Sequence, residues 1–497
     1  MDNEPEAAIE EYYKAALNDP DNDSLVVDIA GRFLQQKKPE KARDILARAA
    51  ERPNASAAVY ALLGIVYQQL GRHDQAIAAN RAAISRAPGA FAGYQNLFFV
   101  YFQKKQPQEA LKVLDEAARQ PNPNLEFLMG LGELYANLYV QPGPQKEAAH
   151  AGGLAALDRA EKLKPTASAM RLKLADALNL LGESSRAITN YLDLLKTLPD
   201  VPLLREQIRA KLAEVYLRSK NPEQAMKQFE AIVREEPTNP QVYYLMGTIA
   251  FEAKKLPESA EYFSKAILLN PNLEAAYYHL AAAQISQNKT SDALATLDKA
   301  RKKFQPGFVL EFWTAMAFSR DKAYKQAVEH YTAAEVQAQA SEPERLDENF
   351  YFQLGAAHER NGDLVQAEKY FNKCLKLAPD SPETLNYMGY MWAEHGMKLD
   401  QAKAMIEKAV KAEPKSSAYL DSLGWVLYKQ NRPKEALVHI LKAIELSEEP
   451  DATEHDHLGD IYNALKQPDK AREAWKKSIS LEANDEVKKK LDKLEQK

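Results

Sequence analysis

The chain has 497 residues, 45% hydrophobic and 27% charged, with a formal net charge of -5. That apolar content suffices for a continuous core and excludes a disordered chain, while the acidic balance leaves no broad basic field to attract nucleic-acid phosphates or anionic lipid. Uninterrupted apolar runs are short, as in residues 97–102 (LFFVYF), far below the roughly 18 residues of a membrane span, and a single cysteine, Cys374, excludes an intramolecular disulfide.

In chain order, residues 1–22 read as half of a repeating unit. Ala8, Tyr12, Ala15 and Pro20 reproduce the second helix of a pair whose first helix is missing, as expected where a leader or longer N-terminus has been removed and Met1 added. The segment has neither a basic start nor an apolar stretch, so it is not itself a signal peptide or lipoprotein leader. After Ala8 a small residue keeps returning, at Ala42, Ala76, Ala110, Gly153, Ala187, Ala225, Ser259, Ala293, Ala327, Ala367, Ala402, Ala436 and Ala471. Most of the intervals are 34 residues. Such a period predicts a helix-turn-helix unit that buries its apolar face only by stacking on the next one.

The second full unit shows the pattern most clearly, with Leu63, Gly64 and Tyr67 on the first helix, Gly71 at the turn, Ala76 and Ala83 on the second helix, and Pro88 after it. Gly64 and its equivalents Gly132, Gly247, Gly355, Gly389, Gly424 and Gly459 let the paired helices approach closely, despite the helix cost of glycine. A large apolar residue follows the small one by four positions, as Phe229 follows Ala225, Phe371 follows Ala367 and Trp475 follows Ala471. Helical spacing puts both on one face. Proline then stops the second helix, at Pro20, Pro88, Pro165, Pro199, Pro237, Pro271, Pro379 and Pro414. Cys374 takes a small position equivalent to Ala266 and Ala409 and reads as a buried hydrophobe, and His358 takes the gap-filling aromatic position and reads as a packed core histidine.

This pattern resembles the tetratricopeptide repeat family from about residue 6 to residue 483. The resemblance implies an all-α fold, a right-handed α-α superhelix of about thirteen helix pairs over 23–483, preceded by the half-repeat in 1–22. A charged capping helix over 484–497 (NDEVKKKLDKLEQK) closes it. Three additions depart from the period. The largest, near 141–153 (QPGPQKEAAHAGG), predicts a Pro/Gly loop and an extended helix start. Smaller ones fall near 199–202 and 337–346, the latter (QAQASEPERL) being the candidate hinge.

The repeats consume the chain and leave no segment for an enzyme domain. The sequence contains no glycine-rich phosphate loop, no GxSxG elbow and no HExxH pair, so no catalytic, cofactor or metal residues are assigned. The run Glu454, His455, Asp456, His457 is the nearest approach to a metal cluster, but its two histidines point to different sides of a helix, and it reads as a solvated helix start.

In the family the first helix of each pair is implied to line the concave face, and its projecting positions select the ligand. Carried onto this chain, that rule places Tyr244, Tyr278, Phe312 and Phe352 as an aromatic ladder across four neighbouring units, with Phe251, Ile285 and Met316 on the same face. A second patch is Gln95, Phe99 and Phe102, and a third combines Tyr390, Asp421, Trp425 and Tyr428. Apolar groove positions imply a partner, aromatic residues serve as anchors, and helical spacing is equally what inter-repeat packing requires. The clamp by which some members grip chaperone C-termini needs Lys and Asn where this chain has Tyr, Phe, Ala or Glu, so chaperone-tail binding is not implied.

The stretch 385–428 is similar to bacterial envelope repeat proteins, including lipoproteins that act as adaptors for processing proteases, on the strength of LNYMGY and LDSLGWVLY. The expected function is a non-enzymatic scaffold holding a protein or peptide partner along the concave groove, with no nucleic-acid partner and no cofactor. The alternative is an adaptor that recruits or activates an enzyme such as a processing protease. The periplasm or envelope of a bacterium is the expected location if a leader has been removed, and the cytoplasm otherwise. Nothing in the pattern sets the oligomeric state.

Overall fold

The computed structural model describes residues 4–19, 21–198 and 201–495, with side chains from residue 11 onward. The expected positions Ala8, Pro20 and Pro199 therefore lie outside the described side chains. Twenty-eight α-helices, one 3-10 turn and no strand occur among the described residues. After a lone helix, Glu4–Asn18, they form thirteen consecutive antiparallel pairs, and Asp485–Glu495 ends the series. The chain divides into two compact units, Met1–Thr238 and Asn239–Lys497. The first holds the lone helix and six pairs; the second holds seven pairs and the terminal helix.

A representative pair joins the 13-residue helix Ala57–Gln69 to the 14-residue helix His73–Arg86. Many helices begin on a side-chain cap or an early proline. Asn124, Asp347, Ser381, Ser416 and Asp451 each accept a hydrogen bond from a backbone N–H of the first turn, which satisfies a donor that has no helical partner. First helices other than Leu125–Tyr139 end in a left-handed residue followed by a bond back to the carbonyl five residues earlier, as in Arg72 N to Tyr67 O and Gln467 N to Tyr462 O. Glycine fills the left-handed position at 71, 182, 362 and 396, but Lys or Asn fills most of the others, Lys254 and Lys466 among them.

The close approach within several of the glycine-bearing pairs has the cause read from the sequence. A Cβ on Gly355 would lie 2.8 Å from the Phe371 ring, and one on Gly459 would lie 2.4 Å from the Trp475 indole. The large residue of the second helix thus fills the place that glycine vacates. Truncating such a buried ring costs about 3–5 kcal/mol. Cys374 is buried with Sγ 3.1 Å from Thr384 Oγ1, and His358 is buried and stacked on Tyr370 at 5.3 Å.

The additions emerge as extra helix. Residues 141–153 form a loop leading into the 17-residue helix Lys146–Lys162. The addition near 199–202 begins outside the described residues and continues as Pro202–Arg218, also 17 residues long. Residues 337–346 prolong Tyr324–Ser341 to 18 residues and close in the 3-10 turn Pro343–Arg345.

Candidate protein-binding face

In the unit Asn239–Lys497 the first helices line a series of open cavities. One, of about 530 Å³, is walled by Tyr278, His279, Phe308 and Trp313, with the carboxylates of Glu274 and Glu342 at its edge. A second, of about 500 Å³, brings Ile285 and Met316 together with Ser319, Arg320, Gln353 and Arg360. Further along, Tyr324, Glu359, Arg360, Tyr387, Tyr390 and Glu394 enclose about 450 Å³. Tyr387 and Tyr390 also line a cavity of about 430 Å³ with Asn386, Asp421 and Glu454.

The expected ladder divides on inspection. Tyr278 is buried, and its hydroxyl donates to Glu274 Oε1 at 2.5 Å; burial, reinforced by that carboxylate, pushes its pKa upward. Tyr244 is half-buried and stacks on His279 at 5.4 Å. Phe312 packs 5.6 Å from Phe308 and 5.9 Å from Tyr331, and Phe352 packs 5.3 Å from Tyr387. Tyr244 and Phe352 thus stack on the next unit, as does Phe312 through Phe350 at 6.4 Å, whereas the Tyr278 hydroxyl is held within its own helix. Ile285 is buried, whereas Phe251 and Met316 are half-buried. Of this group, Tyr278, Ile285, Phe312 and Met316 line cavities.

The second patch lies on Phe91–Gln103 in the other unit. Gln95 and Phe99 are exposed, and Phe102 is half-buried against Phe98 at 5.5 Å.

The third patch is a connected polar and aromatic cluster. Asp421, on the helix Ser417–Lys429, is 7% exposed and lies 2.8 Å from Nδ1 of His457, itself 4% exposed on Ala452–Ala464. Burial alone would depress the histidine pKa, but the adjoining Asp421 carboxylate outweighs it and raises it. Trp425 stacks on the imidazole at 3.9 Å and donates from Nε1 to Glu394 Oε2 at 2.6 Å. Tyr428 stacks on Trp425 at 5.1 Å and Tyr390 is half-buried. Lys490 of the terminal helix bridges Asp456 and Asp460 at 2.8 Å each.

The stretch 454–457 is thus not a solvated helix start. Glu454 is 5% exposed and His457 faces the core. Their spacing, shared with Leu458 and Ile461, marks one helix face, a signal that the charged residue types masked. No group of three metal-ligating side chains converges among the described residues. No described helix is long and apolar enough to cross a membrane.

Sequence models described as tetratricopeptide repeat match residues 27–91, 210–274, 250–317, 349–381, 417–449 and 455–485, together more than half of the chain. The chain belongs to the tetratricopeptide repeat family. Among curated relatives, TPR repeat-containing protein PA4667 of Pseudomonas aeruginosa is 29% identical over 178 residues, 35% of this chain and 29% of that protein. Mitochondrial import receptor subunit TOM70 of Mus musculus is 23% identical over 207 residues, 40% of this chain and 33% of that one. The matches therefore span about a third of these relatives. Among solved structures, the APC/C hetero-tetramer Cut9–Hcn1 is similar with a TM-score of 0.44 at 16% identity, over 94% of this chain and 95% of that one. A tetratricopeptide solenoid is an interaction scaffold, built to present side chains along a long face.

Proposed function

We propose that the protein is a non-enzymatic scaffold that holds an extended segment of a protein partner along the first-helix face of the unit Asn239–Lys497. The supporting observation is the series of open cavities on that face, in which Met316, Trp313, Tyr387 and Tyr390 stand half-buried beside unlike polar groups. Half-buried aromatic side chains offer large contact areas and Met adapts to irregular partner surfaces, and both are enriched at interface cores. One relative bears the name of a receptor subunit, a role that consists of binding.

The test is photo-crosslinking with p-benzoylphenylalanine in place of Met316 or Tyr390, compared with the same residue in place of Val365 or Val438. Those two controls are 78% and 65% exposed on second helices. The expected result is a covalent adduct to the same partner from 316 and 390 and none from 365 and 438. Adducts only from the second-helix positions would overturn the proposal.

A further inference from the structure

We infer that the cavity of about 430 Å³ bounded by the helices Pro382–Glu394, Ser417–Lys429 and Ala452–Ala464 receives an arginine side chain of the bound segment, an assignment that rests on the scaffold reading above. Its lining carries five carboxylates, those of Asp421, Glu448, Glu449, Asp451 and Glu454, and no cation. Asp421 is paired with Nδ1 of His457, and Asp451 is engaged in capping its own helix. Glu448, Glu449 and Glu454 have no ion pair among the described residues.

The interior of the cavity is short of donors. Glu454 is 5% exposed, and both its oxygens share one neutral donor, the Ser447 hydroxyl, at 2.7 and 2.8 Å. A carboxylate has about four lone-pair sites. From another wall Asn386 Oδ1 is screened from solvent and accepts no hydrogen bond. Buried acceptors left in this state cost free energy that a donor-bearing ligand recovers. The cavity is far wider than a metal ion, and its acceptors do not converge on a point. A guanidinium supplies five N–H donors in one plane, pairs with carboxylate bidentately and stacks on aromatic faces. Tyr387 and Tyr390 line the same cavity.

The experiment titrates the full chain into fluorescein-labelled Gly/Ser dodecapeptides carrying two arginines, with versions containing lysine, citrulline or glutamate at the same places, and follows anisotropy at low salt. Citrulline keeps the shape of arginine and removes the charge. The arginine peptide should bind about tenfold more tightly than the citrulline peptide. Glu454→Gln should abolish most of that difference. The double variant Glu448→Gln/Glu449→Gln changes only exposed side chains, so it should reduce the difference severalfold even if Glu454→Gln fails to fold. Equal binding of arginine and citrulline peptides, or wild-type preference in both variants, would overturn the inference. Equal binding of the lysine peptide would overturn the assignment to arginine. Preferential capture of the glutamate peptide would overturn it while leaving the scaffold proposal intact, and that proposal fails separately if the crosslinks arise only at 365 and 438.

Discussion

Asn80 occupies the position four residues after Ala76 where other units place Phe263, Phe371, Ile406, Ile440 or Trp475. It is 0% exposed, and neither its amide oxygen nor its amide nitrogen has a hydrogen-bond partner. Each unsatisfied buried group costs about 1–3 kcal/mol. Leucine has the same branching at Cγ, so Asn80→Leu replaces both groups with methyls in nearly the same places. Gly64 sits directly above, its notional Cβ 2.3 Å from Asn80 Oδ1, so slight crowding returns about 1 kcal/mol of the gain. The expected net stabilisation is about 2 kcal/mol. Because solenoid stability is close to a sum of unit and neighbour terms, the gain should be local. Native-state hydrogen exchange of the amides in Ala57–Gln69 and His73–Arg86 should slow roughly thirtyfold, at about 1.4 kcal/mol per tenfold. Unchanged or faster exchange would mean that the amide is satisfied in solution and would refute the reasoning.

Glycine substitutions should separate cleanly. Gly31→Ala places a Cβ where nothing lies within 4 Å and should add about 1 kcal/mol by urea denaturation, whereas Gly355→Ala drives its Cβ against the Phe371 ring and should remove about 2 kcal/mol. Lys466→Gly relieves a left-handed residue at φ 59° and should raise the denaturation midpoint by an amount equivalent to about 1 kcal/mol. Glu311 is buried, which alone would raise its pKa, but His330 Nδ1 at 2.6 Å and the Arg301 guanidinium hold it down to about 2. A depressed carboxylate contributes stability above its unfolded pKa and loses it as pH falls through the folded one, so the advantage of wild type over Glu311→Gln should reach about 3 kcal/mol near pH 6 and vanish near pH 2 in pH-dependent melting.

The helix pairs were legible because their causes are local and recur. A small residue every 34 positions, glycine opposite a large ring and proline after the second helix each act within one unit, so the repetition itself identifies them. The left-handed turns were legible at Gly71 but not at Lys37, Lys254 or Lys466, because lysine carries no preference for that conformation and is held there by the bond across the turn. The exposed part of the first-helix face was only half legible. Spacing correctly put Tyr278, Ile285 and Met316 on first helices, yet whether a ring is open or covered depends on neighbours one unit away, as the burial of Tyr278 and Trp425 shows. The partner of His457 is Asp421, 36 residues earlier, and no local pattern announces a pair at that separation.

Such pairs bear on how the units choose their neighbours. Tyr370 and Lys373 reach Glu335 at 3.0 and 2.6 Å, Trp425 reaches Glu394, His457 reaches Asp421 and Lys490 reaches Asp456, each across about one period. A buried ion pair adds little net stability over well-packed apolar side chains, but removing one partner strands the other at a cost of about 3–5 kcal/mol. Asp421→Leu alone should therefore destabilise the unit by about that much, because it leaves His457 in a site too dry to hold its charge. The double variant Asp421→Leu/His457→Phe should recover most of the loss in a denaturant double-mutant cycle, since phenylalanine keeps the stack on Trp425 and no charge remains. A double variant as unstable as the single would show that the pair is a net stabiliser and refute this account. On this account the 34-residue apolar pattern provides the attraction common to every stacked pair of units, and the polar pairs penalise stacking in any other register.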